Sequence, residues 1–368
     1  MYITVGKLVS LMEEFAPRCL AADWDNVGLQ VGDERAEVRR VLVTLEVTPA
    51  VLHEALMTNA DLIITHHPLI FNPLRHIRFD EPLGALLRDL ISNGIALLVA
   101  HTNLDACRGG VADILAERLG LVGLSPLAGN PEKLFKVVVF VPRTHMHDVR
   151  MALADAGAGW LGNYSHCSFR TLGQGTFKPL AGSSPFLGQV GQEEEVEEYR
   201  LETIVSETCL AKALAAMRKA HPYEEVAYDV YQLANEGAAV SFGRIGQLPQ
   251  ALSFQELSEL IKQRLSVPAL RAVCPKGEYL TVAVCPGAGA GFVAEAARRG
   301  ADCLVTGDVK HHDARLAQDL GLTVFDAGHY ATELPVVETL CSYLRDCLQG
   351  KKTVVASSTA LTPPWQEV

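Results

Sequence analysis

Asn59-Ala60-Asp61-Leu62-Ile63-Ile64-Thr65-His66-His67-Pro68 decides the fold: an apolar, strand-like run ends on polar residues, and its pattern returns as Gly300-Ala301-Asp302-Cys303-Leu304-Val305-Thr306. Outward from the first copy, VLVTLEV starts at Val41, followed by a predicted helix over Pro49–Met57. After the His-His pair come a helix near Pro82–Ser92, the run IALLVAHTNLD from Ile95, and a helix near Val111–Leu119. Around the second copy, YLTVAVCPG precedes a helix near Phe292–Arg299, ADCLVTGD one near His312–Leu320, and LTVFDAGH one near Glu333–Leu348. Strands this apolar, alternating with amphipathic helices, predict an α/β fold with helices on both sheet faces. In each copy a Gly (Gly94, Gly321) opens a strand ending at a histidine (His101, His329), with a carboxylate four residues on (Asp105, Glu333). This pattern predicts an internal pseudo-repeat.

Between the copies the order of elements changes. FKVVVFVP, a helix over Met146–Ala156, strands around Tyr164–Arg170 and Tyr199–Val205, a helix over Cys209–Ala220 and VAYDVYQL read as β-α-β-β-α-β. That is the ferredoxin-like order of an α+β domain. The stretch Gly173–Glu198, rich in Gly, Ser, Pro and Glu, reads as an exposed loop or an irregular hairpin. The expected domains are therefore 1–130 and 236–368, forming one discontinuous core, and an insert at 131–235.

A chain of 368 residues suits two or three domains. With 43 acidic against 32 basic residues the net charge is −11, which argues against a nucleic-acid or anionic-membrane partner. No apolar run reaches the ~18–20 residues of a membrane span, and the acidic start is unlike a signal peptide, so a cytoplasmic location is expected. None of the nine cysteines forms a C-x-x-C pair, which argues against a Cys-ligated zinc site.

The chemistry-bearing residues follow the strands. Neutral imidazoles bind borderline metals, and His66 and His67, at a strand end, can serve two metals as the backbone turns. Pro68 supports the strand end because it lacks an N–H and biases His67 toward an extended conformation. A solvated polar turn is the plainer reading. If the chain turns helical after His101, then His101 and Asp105 face one space; alternatively Asp105 caps the next helix. His329 and Glu333 stand one helical turn apart, although a Glu near a helix start also suits the dipole. All three clusters lie at strand ends, where functional groups of α/β sheets gather. Three histidines and two carboxylates exceed one tetrahedral structural site and suit a pair of divalent metals, with Zn, Fe or Mn expected. Such a pair polarises a substrate oxygen and lowers the pKa of a shared water, so the expected chemistry is hydrolytic.

Other groups read as support. Trp24-Asp25-Asn26-Val27-Gly28 is either a polar flank of the site or an ordinary turn. In Thr306–Asp313, Lys310 is placed to meet a phosphate, and His312 or His101 to relay a proton; capping or packing is the alternative. Pro286–Gly291 contains G-x-G without the full dinucleotide fingerprint, which argues against a nicotinamide cofactor.

The set WDNVGLQVG, ITHHP, HTNLD, TGDVKHHDA and DAGHYATE resembles the NIF3-like family of dinuclear metal-centre proteins, also labelled GTP cyclohydrolase I type 2 homologues. The resemblance covers about Met1–Asn130 and Glu236–Gln349. It implies a three-layer α/β core, a toroidal homohexamer, and two divalent metal ions per subunit on His66, His67, Asp105, His329 and Glu333. The insert, with His221-Pro222-Tyr223, is similar to the PII-like or CutA-like domains of longer bacterial members; a helix stop at Pro222 is the plainer reading of that tripeptide. The repeat makes His101 the counterpart of His329, whereas the family pattern leaves it beside the metals. It therefore joins His312 as a candidate catalytic residue. Residues after about Ser357 resemble nothing assignable. The function expected is a metal-dependent hydrolase of a small phosphorylated or purine/pterin-like molecule. The alternative is a non-catalytic toroidal assembly with a regulatory, metal-handling or interaction role.

Overall fold

The runs that end on candidate donors become short parallel strands with almost no exposed surface. Leu62–Thr65, Ala96–Val99 and Cys303–Thr306 are buried at every position. The computed structural model describes residues 2–129, 132–162, 164–237, 241–275 and 277–365. Its contacts divide the chain into two units, Met1–Gly129 with Val240–Val368, and Asn130–Ala239. The expected junction at 130/131 lies outside the described residues.

The first unit contains two large sheets, each covered on both faces. In the five-stranded sheet, Val354–Ser357, Arg40–Thr44, Leu62–Thr65 and Ala96–Val99 run parallel, and Gly28–Val31 closes one edge antiparallel. Alternate residues of the same strands enter different cores, as the two-residue period of a strand requires. Val41, Leu62, Ile64 and Leu98 pack with Leu8, Leu340 and Leu344. Leu42, Ile63 and Leu97 pack with Val51, Leu52 and Leu90. The six-stranded sheet repeats this arrangement. Glu278–Val284, Cys303–Thr306 and Thr323–Asp326 run parallel, flanked by antiparallel Arg244–Ser253, Val122–Pro126 and Arg271–Val273. Val282, Val305 and Phe325 face Leu257 and Ile261, whereas Ala283, Leu304 and Val324 face Val293 and Ala317. The fold is mixed α/β with several sheets.

A buried ion pair joins the two sequence halves of this unit. Arg244 Nε donates to Asp113 Oδ1 at 2.5 Å and its Nη2 to Oδ2 at 3.1 Å. Its guanidinium also donates to the carbonyls of Ser241, Gly243 and Cys107. A buried guanidinium is tolerated when its donors are matched in this way.

One expectation changes. The long C-terminal helix divides into His329–Glu333 and Pro335–Cys347, because Pro335 has no N–H to continue the first turn and suits the start of a new helix. The residues after about Ser357, to which the resemblance assigns nothing, are anchored to the core. Val354–Ser357 pairs parallel with Arg40–Thr44, and beyond it Thr359 N and Oγ1 donate to Glu54 Oε1 at 2.9 and 2.8 Å. In the second unit, of the exposed loop and the irregular hairpin expected at Gly173–Glu198, the hairpin forms. Ser168–Phe177 pairs with Glu194–Ser206 from Thr203↔Ser168 to Glu194↔Phe177, which leaves only 178–193 irregular. A Cβ at Gly175 would lie 2.3 Å from Glu198 Oε2, so its missing side chain leaves room for the buried Glu198 carboxylate.

In that unit, Lys133–Pro142, Met146–Asp155, Ser168–Phe177, Glu194–Ser206, Glu207–Ala220 and Tyr228–Glu236 alternate as β-α-β-β-α-β. The antiparallel sheet places the fourth strand beside the first, then the third, then the second. Among the described residues no helix is long and apolar enough to cross a membrane.

Candidate metal centre

Backbone geometry brings the donors together before any side chain acts. Thr65 Oγ1 donates to Leu45 O at 2.7 Å, and His67 N donates to Leu45 O at 2.7 Å, fixing the bend after Leu62–Thr65. His101 precedes the helical turn Thr102–Ala106, which carries Asp105, and His329 and Glu333 are the first and last residues of theirs. All five expected metal donors lie in the first unit.

His66 is fully buried, and its Nδ1–H donates to Ala100 O at 2.9 Å, which leaves Nε2 facing the cluster. That Nε2 lies 3.5 Å from Asp105 Oδ1 and 3.8 Å from Glu333 Oε1. His66 Nε2 and Asp105 Oδ1 are buried and have no hydrogen-bond partner among the described residues. On the other side Glu333 Oε2 is 3.0 Å from His67 Nε2, and Glu333 Oε1 is 3.1 Å from His329 Nε2. The ligand atoms form two groups, His66 with His67 and His101, and His67 with His329 and Glu333, each within 4.8 Å.

Supporting groups orient the rings. His329 Nδ1 lies 2.8 Å from Asp308 Oδ2, and His101 Nδ1 lies 2.9 Å from Asp25 Oδ1. Asp25 also accepts Thr102 N at 3.0 Å and the Thr102 hydroxyl. Carboxylates bonded to the far nitrogen of an imidazole fix its tautomer and raise its basicity. Gly287, at φ +62°, lets the backbone approach this cluster: a Cβ there would come 2.2 Å from Glu333 Oε1. The glycine-rich stretch after Val284 thus serves close packing at the site. His312 lies exposed on the first turn of His311–Leu320 beside His311, outside the clustered groups. Lys310 is also exposed. From the same stretch it is Asp308 that reaches the cluster.

Sequence reading marked the stretches holding Asp25, Asp308 and Gly287 but not their roles. Each role depends on a partner at least 21 residues away, such as His329 for Asp308, and short spacing carries no sign of it.

The electrostatics are those of closely packed opposite charges. Burial works against protonation of His66, but the Asp105 and Glu333 carboxylates outweigh it and push its pKa up to about 9. The Glu333 hydrogen bond pushes His329 up to about 9, against burial. Burial pushes Asp105 up to about 6. Burial also acts to raise Glu333, yet the His329, His66 and His67 imidazoles packed around it hold it well below the usual carboxylate range. For Asp25, the bonds from His101 and Thr102 overcome burial and hold it at about 2.

A mixed α/β fold whose strand ends gather imidazoles and a buried carboxylate defines a protein with a His/Glu cluster able to hold a metal. The chain belongs to the Duf34/NIF3 (NGG1p interacting factor 3) family, whose model matches residues 3–363. It is 42% identical over 362 residues to the GTP cyclohydrolase 1 type 2 homolog of Halalkalibacterium halodurans, covering 97% of each chain. It is 43% identical over 330 residues to the protein of the same name from Bacillus subtilis, covering 89% of this chain and 88% of the other. Among solved structures it is similar to a Bacillus cereus protein related to NIF3, with a TM-score of 0.74, 42% identity and complete coverage of both chains.

Proposed function

We propose that His66, His67, Asp105, His329 and Glu333 hold two divalent metal ions, Zn, Fe or Mn, in a metal-dependent hydrolase for a small phosphorylated or purine/pterin-like molecule. The observation that carries this reading is the pair of buried, unpartnered atoms, His66 Nε2 and Asp105 Oδ1, 3.5 Å apart. Buried polar atoms without partners are costly, and a cation satisfies both at once. Glu333, with one oxygen near His66 and His329 and the other near His67, would be the residue through which both sides of the cluster hold metal. When bound, such ions supply Lewis acidity at a substrate oxygen. The residues of the chain do the rest. Asp25 orients His101 at the edge of the cluster, where its imidazole carries a proton to or from substrate, and Asp308 holds His329 in place. His312 remains the second candidate proton carrier. The names of the Halalkalibacterium and Bacillus subtilis relatives point toward nucleotide-like substrates.

Two architectural readings accompany this one. The strand order of Asn130–Ala239 supports a ferredoxin-like insert. Shared anchoring supports an internal duplication: Asp61 Oδ2 accepts Arg39 N and Arg40 N, and Asp302 Oδ2 accepts Leu280 N and Thr281 N. Thr65 O bonds Ala100 N and Thr306 O bonds Ala327 N, a register that aligns His101 with Gly328 and offsets His329 by one residue. Assembly as a homohexamer and residence in the cytoplasm belong to the same proposal and rest on the family resemblance.

A non-catalytic, metal-handling or regulatory assembly is the second reading, favoured by a separate Asn130–Ala239 unit that contains none of the clustered donors. Metal analysis of protein purified without added ions is paired with a screen of nucleotides, phosphodiesters and cyclic amides. Bound divalent metal with turnover that Glu333→Gln abolishes supports the hydrolase. Bound metal with no turnover, or a rate unchanged by Glu333→Gln, favours the second reading.

A further inference from the structure

Beside the metal cluster lies an aromatic surface that the hydrolase reading leaves unused. Trp24 is 62% exposed and Phe71 45% exposed, and their rings touch at 5.8 Å between centroids. Trp24 also meets the His101 ring edge-on at 6.3 Å, and His101 stands 5.1 Å from His66 and 5.7 Å from His67. The two aromatic groups therefore border the site itself.

Their exposure is held in place by their neighbours. Asp25 is tied to His101 and Thr102. Asn26 Nδ2 donates to Ile70 O at 2.6 Å, and Gln30 both donates to Ile70 O at 2.9 Å and accepts Ile70 N at 2.9 Å. The residues on the C-terminal side of Trp24 and on the N-terminal side of Phe71 are thus stitched down. The indole cannot readily fold away, and the strongest apolar groups of these segments remain facing solvent. A flat, polarisable face held beside a cluster of imidazoles suits a planar heteroaromatic ring laid upon it.

We propose that Trp24 and Phe71 form a stacking platform that seats the planar heteroaromatic ring of the ligand beside His101 and the metal donors. The proposal rests on the reading of this site as one that binds a small molecule, and it narrows that molecule to one carrying such a ring. The 5.8 Å contact leaves no room for a ring between the two side chains, so the ligand lies on their outer faces. Trp24 supplies the larger share of the contact and Phe71 fixes its tilt.

The test is equilibrium binding of guanosine to the full chain by calorimetry, with ribose 5-phosphate as the ringless control. Wild type is compared with Trp24→Leu, Trp24→Phe and Phe71→Leu, in metal-loaded and metal-stripped forms, with metal content and oligomeric state measured for each. Trp24→Leu is expected to weaken guanosine by about tenfold, Trp24→Phe to recover most of the loss, and ribose 5-phosphate to be indifferent to all three. Guanosine binding that is equal in wild type and Trp24→Leu, or absent from wild type in both forms, overturns the platform. So does a change of oligomeric state with guanosine binding intact, which would make this surface a contact between copies. Lack of bound metal alongside guanosine binding that Trp24→Leu weakens counts against the metal centre and leaves the platform supported.

Discussion

The two walls of the candidate centre are built by different means. His66 is fully buried at a strand end, and its outer nitrogen is held by the carbonyl of Ala100. His329 has a side chain 35% exposed, and its outer nitrogen is held by the Asp308 carboxylate. One wall is set by backbone, which no side-chain substitution removes. The other is set by charge, which a single substitution changes. The first wall therefore supplies a fixed reference position and the second an adjustable one.

The largest expected effect comes from Glu333→Gln, which removes the charge that both walls share. The variant should fail to retain divalent metal through gel filtration, as read by elemental analysis, while far-ultraviolet dichroism stays that of the wild type. Next is the seam between the halves that carry the walls. Arg244→Met leaves Asp113 buried without its partner and should cost about 3–5 kcal/mol in denaturant unfolding. Asp308→Asn tests the adjustable wall and should weaken metal binding by about 10–100-fold in competitive chelator titrations. A negligible change would show that His329 needs no carboxylate and would remove the contrast with His66.

The smallest effect is a slope with pH. In metal-free protein His66 and His329 have pKa values raised from 6.5 to about 9, so their contribution to stability is fully present below 6.5 and is lost as pH rises through 9. Thermal unfolding of stripped protein should therefore shift downward across that window. Metal-loaded protein should gain relative stability there, because the ions no longer compete with protons on the imidazoles. A stripped protein whose unfolding temperature rises from pH 6.5 to 9 would refute this assignment.

The sequence showed the strands better than their edges. Leu62–Thr65 and Cys303–Thr306 are apolar on both faces, so their burial and their polar endings could be read directly. The helices Pro49–Met57 and Pro82–Ser92 were equally readable, each with a proline in its first turn. Val354–Ser357 escaped notice because its partner, Arg40–Thr44, lies more than 300 residues away and four residues carry little periodicity of their own. At the site, the residue types and strand-end positions of His66, His67, Asp105, His329 and Glu333 were visible in advance. That Asp25 and Asp308 brace His101 and His329 was not, because an aspartate in a turn looks the same whether it caps, braces or is simply solvated.

The second unit leaves the first between Val122–Pro126 and Arg244–Ser253, neighbouring antiparallel strands joined further by Leu127 N to Gly243 O at 3.0 Å and Ala128 N to the Ser241 hydroxyl at 3.1 Å. The two chain ends that flank Asn130–Ala239 are thus clasped to each other within the first unit, so the ladder bonds of its sheet do not depend on what the chain does between them.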